Sequence, residues 1–572
     1  VTSRAPVVLG LCSGTHDSAA SLIVDGRLVG LVEEERLNGE KHTRAYPEHA
    51  IDWLLDRAGL VSEDVSSVAY NFSPSLYMRG VVPSLAYLAP PSSRRRALAR
   101  ARSFHTVYRR ASERLADLAH RFPLARVSGV AHHRAHGIYA FTASGYEDAA
   151  VLIVDSLGET VTTSIAHARL HGAGLRYRPM HQITDPASLG YAYGAVTQHL
   201  GWRRGDEEGT VMALAALGDP ARFRALFARA IVLTEDGFAL NPRAFPLRVI
   251  SSRYSRLSQD FVRMTCPPRA PDSAVESVHA DLAAALQERT EQVMVHLARR
   301  ARTLTGAPLL CVGGGVAMNC VSIGRIVEQA GFDEVAVPPA PGDAGTAAGA
   351  ALAHHLDTSG VLASGAARRC YLGPSFPRIR LPKHPRRGLA AHTITDPTRR
   401  LAHELAAGRI VGVFQGRLEA GPRALGNRSI LASPLLPDVV KRLNSTVKFR
   451  ESFRPFAPVA LEDKAADYFT LDQPAPFMSI ASGVTELAHR TVPAVIHANG
   501  TARIQTLTRE RNPFLADVLA AFAELTGVPV LINTSLNIKG KPICGTPEMA
   551  LDCLAESGLD ALLLETWWVD KE

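Results

Sequence analysis

Residues 7–33, VVLGLCSGTHDSAASLIVDGRLVGLVE, decide the fold class. Three apolar runs, at 7–11, 20–24 and 28–33, are short enough for strands and are separated by turn chemistry at Ser13-Gly14 and Asp25-Gly26. The stretch predicts a β-meander. Helical periodicity follows at about 47–59 and 276–303, so the meander opens an α/β domain. A related pattern returns at 149–154 (AAVLIV, running into Asp155) and 161–167 (VTTSIAH), which predicts two similar halves. A further buried-strand signal, PLLCVGG at 308–314, runs into Gly313-Gly314-Gly315 and a helix-compatible segment, an arrangement that can cradle phosphate on backbone amides.

A chain of 572 residues exceeds the size at which one hydrophobic core stops growing. Residues 357–390, rich in Gly, Pro, Ser and Arg without periodicity, read as the connection between domains 1–365 and 366–572. The second domain alternates helix (397–407), strand (409–414), a dense polar segment (415–454) and strand (529–532), which again predicts α/β.

Composition narrows the function classes. Apolar residues at 46% and charged residues at 21% are globular, and a net charge of +8 over this length is too mild for a nucleic-acid footprint. The arginines at 94–114 read as a solvated basic helix face. Seven cysteines without a Cys-x-x-Cys pair predict reduced thiols in a cytoplasm. The opening residues carry no charged, then apolar, leader, and no apolar run approaches 18 residues, so neither export nor membrane insertion is expected.

Four residues carry metal-ligand chemistry. His132 and His136 are four apart, on one face of a helix. Asp155 closes an apolar strand, and Asp343 sits among small residues before a helix that it could equally cap. Two imidazoles and two carboxylates suit a borderline divalent ion, iron(II) first, manganese or zinc otherwise. His16 and Asp17 lie in the first hairpin, where a histidine could accept a proton from a hydroxyl. In the second domain, Arg417, Arg423, Arg428, Lys448, Arg450 and Arg454 crowd one segment, interleaved with phenylalanines, and point to a phosphorylated or nucleotide ligand. Arg503 and the loop Asn533–Asn537, with Ser535, could complete that site.

These segments resemble the O-carbamoyltransferases that decorate antibiotics and nodulation factors, the group that includes tobramycin carbamoyltransferase. The matching blocks are residues 14–42, HHRAH (132–136), SLGYAYGAVTQHLGW (188–202), EGTVMALAALG (208–218), GGGVAMN (313–319), PGDAGTAAGAAL (341–352), GRLEAGPRALGNRSILASP (416–434), VKFRESFRPFAP (447–458), NGTARIQT (499–506) and NTSLNIKGKPI (533–543), in family order. The resemblance implies an N-terminal actin-like ATPase (ASKHA) domain with duplicated halves and a C-terminal YrdC-like domain. It implies that the second domain makes carbamoyl-adenylate from carbamoyl phosphate and ATP with magnesium, and that the first transfers the carbamoyl group to a small-molecule hydroxyl.

Carried over residue by residue, Arg423, Lys448, Arg454, Arg503 and Ser535 would bind carbamoyl phosphate, and His132, His136, Asp155 and Asp343 the metal. Gly313, Gly314, Gly315 and Asn319, with Glu208 and Gly209, would contact nucleotide, and His16 supported by Asp17 would meet the acceptor. The family commonly has Lys where this chain has Thr210, which puts one phosphate contact in doubt. The partners implied are carbamoyl phosphate, ATP and an acceptor leaning toward a neutral glycoside or polyketide, with no nucleic acid and no membrane; a homodimer would be compatible. Three rival readings are a threonylcarbamoyl-adenosine tRNA-modifying enzyme, an actin-like nucleotide-binding regulator, and a metallopeptidase. The last lacks the glutamate of His-Glu-x-x-His at 132–136.

Overall fold

The computed structural model describes residues 6–89, 93–250 and 254–572. Residues 1–5, over which the sequence predicts no leader, lie outside them. The chain forms two compact units.

The first unit takes the chain up to Leu31 and Arg44–Arg369. The predicted meander is present as β1 (Val7–Cys12), β2 (Ala19–Val24) and β3 (Arg27–Glu33), followed by β4 (Ser67–Tyr70) and β5 (Arg126–Gly129) in sheet order β3-β2-β1-β4-β5. A second sheet contains β6 (Asp148–Gly158), β7 (Val161–His171) and β8 (Gly174–Thr184). After a hairpin, β9 (Ile231–Thr234) and β10 (Gly237–Leu240), it is completed by β11 (Leu309–Gly313) and β12 (Glu334–Ala336), in order β12-β11-β6-β7-β8. The pairing repeats: β1 and β6 each pair antiparallel with the next strand and parallel with β4 or β11, which in turn pairs parallel with β5 or β12. The halves are duplicated.

Two sequence readings need correction in this unit, and one strand gave no sequence signal. β6 does not end at Asp155. It continues to Gly158 with its pairing to β7 broken between Val154 and Gly158, so Asp155 stands in the irregular stretch, where bulges commonly re-aim side chains. The eleven-residue β8 has no apolar run, because its residues are half-buried or exposed and polar ones recur along it. The basic segment is a helix, Arg94–Arg121, but Arg100 on it is not solvated: it is fully buried and ion-paired with Asp185.

Close packing sets where the site residues stand. The helix Gly345–Ser359 lies against the helix His132–Ser144 so tightly that a Cβ on Gly349 would fall 1.9 Å from the Ala135 carbonyl oxygen. Gly314 has φ +87°, and a Cβ there would meet the Val154 oxygen at 2.3 Å. Gly314→Ala combines left-handed strain with a backbone clash. It is expected to lower stability by more than about 1 kcal/mol, read from urea midpoints.

The second unit takes Cys370–Glu572 and also Val32–Thr43, so the cut falls after Arg369 rather than 365, and the segment after the meander belongs here. Two bonds account for that segment: the Glu33 carboxylate accepts from the Gly421 amide (2.6 Å), and Arg36 donates to the Gly421 carbonyl (2.9 Å). The sheet has nine strands: β13 (Leu389–Thr393), β14 (Val411–Phe414), β15 (Arg428–Ala432), β16 (Ala457–Leu461), β17 (Ile480–Gly483), β18 (Thr501–Leu507), β19 (Val530–Ser535), β20 (Ala561–Leu564) and β21 (Trp567–Lys571). Strand alternation splits its apolar residues between two cores. Val411, Val413 and Leu431 pack with the helices Pro397–Ala406 and Pro513–Thr526 on one face. Phe414, Ile430 and Ile532 pack with the helix Pro547–Glu556 on the other.

Candidate active site

In the first unit, helical periodicity brings the His132 and His136 Nε2 atoms to 3.1 Å. Asp155 Oδ2 lies 3.6 Å and Asp343 Oδ1 3.5 Å from His132 Nε2, and Asp343 Oδ1 lies 3.7 Å from His136 Nε2. All four donor atoms fall within 4.8 Å of one another, and all four residues are buried. Donors about 2.1 Å from a tetrahedral ion stand about 3.4 Å apart, so these separations fit one divalent cation. Asp343 does not cap its helix: Ala344 holds the cap position, and no side chain bonds there.

The supporting contacts were not legible in the sequence. The Asn71 carbonyl lies 3.3 Å from His132 Nδ1 and can take its proton, leaving the Nε2 lone pair toward the carboxylates. Phe72 stacks on the His132 ring at 4.5 Å. The Gly315 amide donates to Asp155 Oδ1 (3.1 Å), and Glu159 accepts from the amides of His132 (3.2 Å) and Ser73 (2.9 Å). Asn71, Phe72 and Glu159 lie outside every motif of the sequence, and Gly315, though part of the glycine run, serves here as a donor to Asp155.

Burial disfavours charge in this set, yet Asp343 and Asp155 draw the His132 imidazole well above its ordinary value. The imidazole in turn holds both carboxylates below theirs. The set therefore retains positive charge among its carboxylates, the charge a cation would supply. His133, by contrast, is pushed down to about 3 by burial and is neutral.

His16 and Asp17 occupy the β1–β2 turn, with Asp17 at φ +62° and its Oδ2 2.9 Å from His16 Nδ1. The His16 side chain keeps 46% of its surface exposed, and against the desolvation of its turn the Asp17 hydrogen bond and the field of Asp343 lift its imidazole to about 9.

The glycine run departs from the sequence reading. The Gly314 amide already donates to the Pro341 carbonyl (2.9 Å) and the Gly315 amide to Asp155, so neither is an open phosphate donor. Asn319 caps the helix Cys320–Gln329 through Ser322 and exchanges hydrogen bonds with Gln287. Glu208 accepts from the Gly205 amide (2.7 Å), and Gly209 is exposed. Thr210 is fully buried, and its hydroxyl has no partner among the described residues.

In the second unit the arginines divide. Arg428 is fully buried, stacked 3.6 Å over Phe414, and donates to carbonyls including that of Gln415 (2.6 Å). Arg417 donates to the carbonyls of Leu372 and Gly373. Both hold loops, so the density that pointed to an anion is partly structural. Glu419 fixes the same segment by accepting from the amides of Leu425, Asn427 and Arg428.

The other cations converge. Burial and the positive fields of Arg454, Arg503 and Arg423 push Arg450 well below its ordinary value. Lys448 is buried and donates to Ser535 Oγ (3.1 Å), Asn537 Oδ1 (2.6 Å) and the Asn537 carbonyl (3.0 Å). Burial, with Arg450 next, brings its amine down to about 7. The folded amine thus gives up its proton near pH 7, the unfolded one near 10.4, and between these values the unfolded state binds more protons. Stability without an anionic ligand is expected to rise from pH 7 toward pH 10. Urea unfolding should show that rise in the wild type and a smaller one in Lys448→Met.

The family model described as the carbamoyltransferase N-terminus matches residues 7–352, and that for the carbamoyltransferase C-terminus matches 402–571. The chain belongs to the carbamoyltransferase family. This carbamoyltransferase is 34% identical to an uncharacterized protein of Synechocystis sp., over 99% of this chain and 96% of the relative. It is 33% identical to nodulation protein NolNO of Sinorhizobium fredii (97% and 79%) and 29% identical to nodulation protein U of the same species (92% and 93%). Among solved structures, T. kodakarensis HypF aligns over 62% of this carbamoyltransferase and 48% of its own chain at 13% identity, with a TM-score of 0.30, too low to carry an argument. The seven cysteines of the carbamoyltransferase are all buried and unpaired in disulfides. No helix among the described residues is long and apolar enough to cross a membrane.

Proposed function

We propose that this carbamoyltransferase is an ATP-dependent O-carbamoyltransferase of small molecules working through carbamoyl-adenylate. The observation that carries the reading is the presence of two chemically different centres, a four-donor cation set in one unit and a guanidinium–lysine cluster in the other. The repeated strand pattern supports an actin-like first domain; a YrdC-like second domain is the fold that goes with the reading.

In the second unit, Arg423, Arg454 and Arg503 would hold carbamoyl phosphate, while Lys448 orders the Ser535–Asn537 loop and regains its proton against the anion. Water cleaves carbamoyl phosphate to phosphate and carbamate, and a carbamate oxygen then displaces pyrophosphate from the α-phosphorus of ATP. The mixed anhydride supplies the leaving group that a carbamoyl carbon, deactivated by its own nitrogen, otherwise lacks. Glu208, Gly209, Asn319 and the edge of the glycine run would border the nucleotide in the first unit.

There His132, His136, Asp155 and Asp343 would hold a divalent cation, iron(II) in the first instance, that polarises an oxygen of the adenylate. His16 in its neutral form, oriented by Asp17, would accept the hydroxyl proton as the acceptor oxygen bonds to the carbamoyl carbon, and AMP leaves with the electron pair of the broken carbon–oxygen bond.

The test is pyrophosphate release from ATP by the full chain. Dependence on carbamoyl phosphate supports the reading; release that ignores carbamoyl phosphate sinks it.

A further inference from the structure

A cavity of about 440 Å³ lies in the first unit and takes no part in the chemistry above. Ala131, His133 and Glu159 in its lining border the start of the helix that carries His132 and His136. Its volume is that of a small-molecule pocket, about fifteen waters of liquid at ~30 Å³ each. Leu76, Pro83, Val161, Ile165, Tyr177 and Pro179 form apolar wall. β7 breaks register with β8 between Val161 and Thr163 and between Ile165 and Ala166, which keeps this stretch from forming a regular ladder.

Two buried residues lining the cavity each have one polar atom without a hydrogen-bond partner among the described residues. His133, 5% exposed, uses Nδ1 on Ser164 Oγ (3.0 Å) and leaves Nε2 without a hydrogen bond. Arg100, 1% exposed, spends its terminal nitrogens on Asp185 and Arg248 and leaves its Nε–H without an acceptor. Buried donors and acceptors are rarely left unmet, so these two ask for an occupant.

The charges decide which one. Asp185 neutralises Arg100, Asp357 takes Arg134 through two 2.6 Å bonds, and Glu159 is committed to backbone amides. Arg79 also lines the cavity, but it is exposed and keeps its charge in solvent. What remains inside is a scatter of single hydrogen-bonding groups on apolar wall, without the cluster of buried cations that would hold a phosphate.

We infer that this cavity binds an uncharged, hydroxyl-bearing small molecule with an apolar face, either the acceptor or a regulator of transfer. The site stands on the cavity itself, and only its role rests on the carbamoyl-transfer reading. The probe is phenyl β-D-glucoside, titrated against the full chain by saturation-transfer NMR, with glucose 6-phosphate as the charged counterpart.

Binding should saturate for the glucoside, be absent for the phosphate, and weaken about tenfold or more in Ile165→Trp, which fills the cavity, a loss of about 1.4 kcal/mol. Gln182→Trp, at an exposed lining position, should weaken it likewise with an unchanged melting temperature. No saturable glucoside binding, binding indifferent to both variants, or equal binding of the phosphate would overturn the assignment. With ATP and carbamoyl phosphate added, a carbamoylated glucoside in the mass spectrum marks the acceptor role, and altered pyrophosphate release without that product marks the regulatory one. Glucoside binding in a protein that releases no pyrophosphate defeats the transfer reading and leaves the cavity's assignment in place.

Discussion

His136→Ala is expected to abolish carbamoyl transfer while carbamoyl-phosphate-dependent pyrophosphate release continues near the wild-type rate. The imidazole has one role in the geometry: its Nε2 faces His132 Nε2 at 3.1 Å and Asp343 Oδ1 at 3.7 Å. Removing it leaves three donors and two buried carboxylates with less to balance them. Loss of a bound cation forfeits several kcal/mol of charge stabilisation, on the order of a thousandfold in the transfer rate at 1.36 kcal/mol per decade. Metal content after gel filtration should fall in parallel, whereas His133→Ala, whose ring bonds Ser164 instead, should keep the metal. If His136→Ala also stops pyrophosphate release, the division into two half-reactions is wrong.

Arg454→Ala is expected to do the reverse, cutting pyrophosphate release by roughly a hundred- to a thousandfold, the usual effect of losing one aimed donor to a reacting anion. Arg454 is part-exposed, with Glu451 at 4.0 Å, and its field reaches both Arg450 and Lys448. Its loss should leave the fold intact. Arg428→Ala makes the contrast: it empties a fully buried position stacked on Phe414, so protein yield and melting temperature should fall before any specific kinetic effect appears. Equal melting temperatures for the two variants would mean that the separation of structural from ligand-facing arginines is mistaken.

That separation is where sequence reading reached its limit. Arg417, Arg423, Arg428, Lys448, Arg450 and Arg454 look alike as a run of cations among phenylalanines. Whether a guanidinium meets a carbonyl of its own loop or faces outward depends on where residues 372–374 and 533–537 return, and those contacts span tens of residues. The glycine run at 313–315 is similar. Its composition suggested amides open to a phosphate, but what lies against Gly314 is the backbone of β6 at Val154, which local sequence does not name.

The sequence by itself determined the meander, the α/β class, the repeated half and the four metal-ligand candidates. Strand alternation and helical spacing are local signals, complete within a few residues. Only the tertiary structure decided that Asp155 stands in a broken stretch of β6, that Asp343 leaves the helix cap free, that Val32–Thr43 joins the second unit, and that Arg100 is buried on Asp185. Each of these is a pairing between groups far apart in the chain, and such pairings are fixed by burial and by the need to satisfy buried polar atoms, which no local pattern encodes.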